Sequence, residues 1–185
     1  MPDSRKVVAG YFLSLDGVAE APDKFLTGWD DETDASGQRL IETQDVVLLG
    51  HRTYDEWAGF WPTSDIEPFA SFINATPKYV ATSTPLNAEW SNSEPIEGDL
   101  LDFVRNLKSE PGDDIGIHGS ISLTRALLTA GLVDELRLVV MPTIVGTGQQ
   151  LFAGLPAIRL ETLHSTQTPT GHLLTTYRVI HQPST

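Results

Sequence analysis

The sequence predicts an α/β domain with a mostly parallel central sheet, flanking helices and an antiparallel C-terminal edge. Short apolar runs alternate with helical patterns along most of the chain. Residues 115–141 have the strand–turn–helix–strand order of a βαβ crossover, which joins parallel strands. Two apolar runs separated by a turn region close the chain as a hairpin. At 185 residues, one substantial core is the simplest arrangement, so we expect a single domain over residues 1–185.

The individual elements follow from local patterns. Apolar-rich runs predict strands at 6–15, 45–49, 78–82, 115–117 and 136–141, a brief strand near 95–96, and hairpin strands at 159–165 and 172–180. Helical spacing and capping residues predict helices at 36–43, 51–58, 68–75, 99–108 and 120–130. Residues 18–35 contain Pro22, Gly28 and an acidic run, and we expect them to form an irregular lid or mobile segment.

Composition excludes several classes of function. The chain has 12 basic and 25 acidic side chains, a formal net charge of −13, so nucleic acid and anionic membranes should repel it. The absence of cysteine excludes disulfides, thiolate metal sites and thiol nucleophiles. No apolar run is long enough to span a membrane, and the first residues do not resemble a signal peptide, so we expect a cytoplasmic protein. The acidic run around 30–34 lacks histidine and the calcium-loop pattern, so we predict no metal.

Two helix starts carry candidate anion sites. Gly119 and Ser120 join a strand to a helix, with Ser122 in the first turn, where free N–H groups and the positive end of the dipole favour phosphate. Tight packing of small residues is the alternative. Arg52 lies at the second such start, where a cation opposes the helix dipole unless an anion is bound. A surface position for Arg52 is the alternative.

Three further segments have both structural and functional interpretations. Asp16 and Gly17 follow the first strand, either as a turn or as a carboxylate at the strand end where open α/β sheets bind ligands. Ser83 and Thr84 follow another strand, as turn residues or as ligand contacts. Trp61 belongs to an aromatic cluster that either covers the core or forms one wall of a pocket.

Four segments together resemble one family. SLDG after the first strand, LGHRTY after the second, the strand-to-STP turn, and HGS…LLTAGLVDELRL…P…GTGQQLF are similar to dihydrofolate-reductase-like proteins, above all to the C-terminal reductase domain of the riboflavin biosynthesis protein RibD and its stand-alone relatives. The resemblance runs over about residues 5–180. It implies a reductase fold with about eight strands, NADPH as the cofactor, a homodimer, and an activity like that of 5-amino-6-(5-phosphoribosylamino)uracil reductase.

The resemblance also implies roles for individual residues. The adenosine 2′-phosphate end would be held by His51, Arg52, Thr53, Ser83 and Thr84. The pyrophosphate would be held by Gly119, Ser120, Ile121 and Ser122. Nicotinamide and substrate would lie near Asp16, Gly17, Trp61, Pro142, Val145 and Gly146. Our own hypothesis for Asp16 is that it orients the substrate or relays a proton.

Two departures from the family pattern bear on specificity. His51 stands where the family commonly has arginine, so NADH could compete with NADPH if Arg52 points elsewhere. The carboxylate that serves folate reduction has no matching motif. The main hypothesis is therefore an NADPH-dependent reductase that transfers hydride to a C=N or C=O of a small, heterocyclic substrate. The alternative is an NADP(H)-binding regulatory or sensor module without turnover.

Overall fold

The computed structural model describes residues 5–181, which contain eight strands and five α-helices. The strands are β1 (Val7–Leu13), β2 (Gln44–Gly50), β3 (Lys78–Ala81), β4 (Ser93–Pro95), β5 (Asp114–His118), β6 (Glu135–Val140), β7 (Arg159–Gln167) and β8 (Leu173–Ile180). The helices are α1 (Asp31–Glu42), α2 (His51–Ala58), α3 (Phe69–Ala75), α4 (Leu100–Ser109) and α5 (Ile121–Thr129). Within this part of the chain, no helix is long and apolar enough to cross a membrane.

All eight strands form one sheet in the order β4-β3-β2-β5-β1-β6-β8-β7. The first six strands in this order are parallel, and β8 and β7 continue the sheet antiparallel. The prediction of a mostly parallel sheet with an antiparallel C-terminal edge is confirmed. Because β1 pairs with both β5 and β6, the crossover through α5 spans the central strand. The carboxyl ends of β1, β2, β3, β5 and β6 therefore meet at one edge, called here the carboxyl edge.

Two apolar clusters cover the faces of the sheet. The larger contains residues of β1, β5 and β6 together with α4 and α5. The other lies under α2 and α3 and includes Val47, Tyr54, Ile73 and Trp90. Central strands that are covered on both faces read as continuous apolar runs, which is why β1, β2 and β5 could be predicted from sequence.

The start of α1 differs from the prediction. We expected a helix at 36–43 after an irregular acidic segment, but α1 begins at Asp31. The side chain of Asp30 accepts a hydrogen bond from the backbone N–H of Thr33 at 2.8 Å and caps the helix. Only Thr33 and Ile41 are buried in α1, so its first turns lack the apolar periodicity by which a helix is recognised.

Candidate cofactor and substrate site

The starts of α2 and α5 lie side by side at the carboxyl edge. The hydroxyl of Ser120 accepts a hydrogen bond from the backbone N–H of Gly50 at 2.9 Å. The hydroxyl of Thr53 donates to the carbonyl oxygen of Gly119 at 3.1 Å. Two helix N-termini that are 70 residues apart in sequence therefore share a direct hydrogen bond.

These two helices differ from α1 and α4 in how they begin. Asp30 caps α1 and Asp99 caps α4, each through its carboxylate. Neither α2 nor α5 has a side-chain cap or an acidic residue in its first turn. Ser120 is at the N-cap position of α5, but its hydroxyl accepts from the N–H of Gly50 and does not cap its own helix. The first N–H groups of both helices keep their positive potential, which suits an anion.

Gly119 has a structural reason to be glycine. Its φ is +63°, a conformation that L side chains rarely adopt. A Cβ at this position would lie 2.9 Å from Cζ2 of Trp57 and 3.2 Å from Cγ2 of Thr53. The space beside Gly119 is therefore filled by α2 side chains. On the side of the turn that faces α2, tight packing explains why residue 119 is glycine. The other residues of the turn differ in exposure: Ser122 is exposed, and Ile121 packs against the core.

The polar side chains at the start of α2 already have partners. Arg52 is 72% exposed; its Nε donates to Glu56 at 3.0 Å and its NH2 group lies 3.7 Å from Glu20. Nδ1 of His51 lies 2.6 Å from the hydroxyl of Thr82 and 3.2 Å from that of Thr84. An anion that binds Arg52 would have to compete with two carboxylates.

The turn after β3 joins this cluster through residues that the sequence identified only in part. Thr84 contacts His51, and the resemblance assigns both residues to the same end of the cofactor. Ser83 is exposed in the same turn and makes no hydrogen bond to His51 in the part of the chain that the structure describes. Thr82 was missed, although its hydroxyl makes the shorter contact with His51. Its position directly after a parallel strand could have identified it, because ligands bind at the carboxyl ends of such strands.

Asp16 holds the loop that follows β6. One carboxylate oxygen accepts from the hydroxyl of Ser14 at 2.7 Å and from the N–H of Val145 at 3.1 Å, and the other accepts from the N–H of Gly146 at 2.8 Å. The hydrogen bond from Ser14, followed by those from the loop amides, lowers the pKa of Asp16 to about 2. Asp16 is therefore ionised at neutral pH and engaged at both oxygens, which suits positioning better than proton donation. Gly17 has a φ of +82°, and no heavy atom beyond its chain neighbours lies within 4 Å of where its Cβ would be.

The remaining candidates lie on either side of this loop. Trp61 packs against Trp57 and Phe69 at ring-centroid distances of 5.8 and 4.7 Å and covers the second apolar cluster, as the core-lid interpretation describes. Val145 packs on the cluster around Met141. Pro142 is exposed and lies near the turn between β7 and β8.

Two features of the edge were missed by the sequence. Trp29 is 52% exposed and its ring lies 5.6 Å from that of Phe12, near the end of β1. Glu20 links Arg52 to the loop after β6, because its carboxylate also accepts from the N–H of Gln149 at 3.1 Å. These contacts depend on how residues 18–30 fold over the sheet, and no local pattern encodes them.

Other polar groups in the structure do not form a ligand site. Nε2 of His118 lies 2.8 Å from Oε1 of Gln44, and burial lowers the pKa of His118 to about 4, so it is neutral. Among residues 5–181, no group of three or more metal-ligating side chains converges. Two shallow depressions of about 440 and 550 Å³ lie elsewhere, one lined by Tyr79 and Phe103 and one by Tyr54 and Trp90.

A family model for the RibD C-terminal domain matches residues 5–174. Two proteins of Bacillus subtilis (strain 168) are similar over the same length of 152 residues. YyaP is 26% identical over 80% of this chain and 80% of its own. YwjB is 28% identical over 80% of this chain and 83% of its own.

Three solved structures share the fold. A Shewanella sp. PV-4 protein assigned by name to riboflavin biosynthesis has a TM-score of 0.76 at 21% identity, covering 95% of this chain and 99% of its own. The Thermotoga maritima diaminohydroxyphosphoribosylaminopyrimidine deaminase/5-amino-6-(5-phosphoribosylamino)uracil reductase has a TM-score of 0.69 at 16% identity, covering 96% of this chain and 57% of its own. Enterococcus faecalis dihydrofolate reductase, complexed with NADP(H), has a TM-score of 0.61 at 15% identity, covering 94% of this chain and 96% of its own.

Proposed function

Since this chain belongs to the RibD C-terminal domain family, we propose that it is an NADPH-dependent reductase that transfers hydride to a C=N or C=O of a small, heterocyclic substrate. The observation that carries the proposal is the pair of uncapped helix starts joined by Gly50 and Ser120 at the carboxyl edge. An extended dinucleotide could lie across both, with its charges near the free N–H groups. When bound, the nicotinamide supplies the hydride, and the protein supplies orientation and electrostatics.

The two helix starts divide the cofactor between them. The pyrophosphate would lie at the start of α5, against the backbone of residues 119–122. The 2′-phosphate end would lie at the start of α2, near His51, Arg52, Thr53 and the turn containing Ser83 and Thr84. Arg52 would exchange its contact with Glu56 for the phosphate, a charge-assisted hydrogen bond of the stronger kind.

The hydride acceptor would lie beyond the nicotinamide, near Gly17 and the loop with Val145 and Gly146. Asp16 contributes by holding this loop through its two amides. Because the carboxylate is ionised and fully engaged, the proton that completes the reduction comes from water at the exposed edge.

Ligand-dependent stability tests the cofactor assignment. Saturating NADPH, at about 100 times its Kd, adds about 2.7 kcal/mol to the unfolding free energy, which corresponds to a rise of about 5–10 °C in melting temperature. Arg52→Gln should lower the affinity for NADPH by about 10-fold or more and leave that for NADH unchanged, because only NADPH carries the 2′-phosphate. Arg105→Gln is the matched control, since Arg105 is also an exposed arginine paired along its helix, at 2.8 Å to Asp102.

A turnover assay separates the reductase from a sensor. Loss of absorbance at 340 nm with a panel of carbonyl and pterin-like acceptors is expected for the reductase. NADPH binding without any such loss would favour a regulatory module instead. Absence of a melting shift at millimolar NADPH with folded protein would refute the cofactor assignment itself.

We also propose a homodimer that uses the edge strand β7. Its nine residues are almost all exposed and include Leu160 and Leu163, at 41% and 40% exposure. A long uncovered edge strand with apolar side chains favours pairing with another chain. Light scattering should give twice the chain mass of 20.2 kDa, and Leu163→Lys should give the monomer mass. Ile66→Lys is the control at an exposed apolar position elsewhere, and a monomeric native protein would refute the proposal.

A further inference from the structure

The basic side chains are distributed unevenly around the sheet. Most of those with ionic partners lie at the amino ends of the strands, opposite the carboxyl edge. The pairs there are Arg5 with Asp45, Lys6 with Glu135, Lys108 with Asp134, Arg137 with Asp114 and Glu135, and Arg178 with Glu161. Lys78, at the amino end of β3, donates to two carbonyl oxygens.

Near the carboxyl edge, the basic groups are few, and both arginines there already have partners. Arg52 is held between Glu56 and Glu20. Arg125, in the second turn of α5, donates to the carbonyl oxygens of residues 150 and 151. Lys24 is exposed in the segment between β1 and α1, directly after Asp23. Little positive charge is therefore available to a second anion beside the cofactor.

The start of α1 makes one side of this edge strongly negative. Asp30 caps the helix, and the first turn adds Asp31, Glu32 and Asp34. Burial would raise the pKa of Asp30, but hydrogen bonds from the hydroxyls of residues 168 and 170 and from Thr33 hold it well below its usual range. This helix start therefore bears four carboxylates, in contrast to α2 and α5.

Three exposed apolar side chains, called here the apolar rim, are Leu15, Trp29 and Ile144, and Trp29 directly precedes the capping Asp30 of α1. Their side chains are 61%, 52% and 72% exposed. The ring of Trp29 lies 5.6 Å from Phe12 in β1, and the N–H of Leu15 donates to the carbonyl of the residue before Ile144 at 2.8 Å. The rim residues thus lie near the carboxyl ends of β1 and β6, where exposed indole and aliphatic surface favours a flat apolar ligand.

We infer that the substrate site at this rim takes an uncharged aromatic heterocycle that carries no phosphate. A phosphate here would face the four carboxylates of α1 without a free guanidinium to oppose them. Trp29 instead offers a ring face on which a heterocycle can stack. The inference rests on the proposed function for the ligand's role as hydride acceptor, and it differs from the phosphoribosylamino group named for the Thermotoga maritima enzyme.

Calorimetric titration of the whole protein with matched pairs tests this inference. The probes are riboflavin against riboflavin 5′-phosphate and uridine against uridine 5′-phosphate, at low ionic strength, with and without NADP⁺. At least one unphosphorylated member should bind about tenfold or more tightly than its phosphate, because like-charge repulsion acts only on the phosphate. Trp29→Ala should weaken binding of that member.

Charge-removal variants identify the source of the discrimination. The triple variant Asp31→Asn/Glu32→Gln/Asp34→Asn should reduce, several-fold, the difference in affinity between the unphosphorylated probe and its phosphate. It leaves the Asp30 cap intact. Glu94→Gln/Glu97→Gln is the control, since these acids lie at the β4 side of the sheet. Equal or tighter binding of the phosphates, or binding of neither pair at millimolar concentration, would overturn the inference. A titration with NADPH alone tests the cofactor assignment separately. If NADPH binds while the probes give either of these results, the inference fails and the cofactor assignment stands.

Discussion

Replacing Gly119 with alanine tests the packing between α2 and α5. The φ of +63° makes any L residue cost about 1–2 kcal/mol at this position. The new methyl group would also lie 2.9 Å from Cζ2 of Trp57, so the indole or the turn must move. Overpacking of this kind costs about 1–3 kcal/mol. The unfolding free energy should therefore fall by about 2–5 kcal/mol.

Gly98→Ala separates the two contributions. Gly98 has a φ of +80°, and apart from its chain neighbours no heavy atom lies within 4 Å of its Cβ position. Its replacement should cost only the conformational part, about 1–2 kcal/mol. Urea unfolding of both variants gives the difference, and equal losses would show that Trp57 does not constrain residue 119.

A double-mutant cycle identifies the contact responsible. Trp57→Phe removes the ring atom that approaches Gly119 most closely. In this background, Gly119→Ala should lose less stability than in the native protein, with a coupling of about 1–2 kcal/mol. Additive losses would show that the ring of Trp57 is not the obstacle to a side chain at residue 119.

Three further variants test single contacts. Ser120→Ala leaves the N–H of Gly50 without its partner and should cost about 1–3 kcal/mol in urea unfolding, whereas Ser122→Ala at the exposed position should be nearly neutral. Asp16→Asn should speed hydrogen exchange of the two loop amides that the carboxylate accepts, and unchanged exchange would contradict its positioning role. Burial lowers the pKa of Lys78 to about 8 from 10.5 in the unfolded chain, so the unfolded state binds more protons between these values and stability should rise with pH there. Lys78→Met should abolish that rise, measured by unfolding at about pH 7.5 and 10.

The sheet was predictable because burial on both faces leaves a strong local signal. β1, β2 and β5 each contain a continuous run of predominantly apolar residues, and these runs are followed by Ser14, Gly50 and His118. The start of α1 was not predictable in the same way, since its first turn is almost wholly polar. Asp30 looked like one member of an acidic run, and its capping role depends on Thr33 adopting helical geometry.

The same distinction applies to the candidate site, where the position of the helix starts was predictable and the partners of individual side chains were not. That α2 and α5 start at one edge follows from parallel strands, whose carboxyl ends must meet there. The partners of individual side chains do not follow, because Glu20 reaches Arg52 only through the path of an irregular segment. Gly119 is a related case: a small residue at a βα turn fits both ligand approach and packing, and only the position of Trp57 decides between them.

The net charge of −13 and an anionic cofactor are compatible because they act over different distances. Repulsion between the protein and a dinucleotide is long-range and is screened beyond about 8 Å at physiological ionic strength. The N–H groups of α2 and α5 act only within the first helical turn, where no carboxylate follows the N-cap. The acidic first turn of α1 acts at equally short range on whatever binds beside Trp29. On the proposed function and the inference above, one edge would therefore accept a phosphate at the starts of α2 and α5 and reject it at the start of α1.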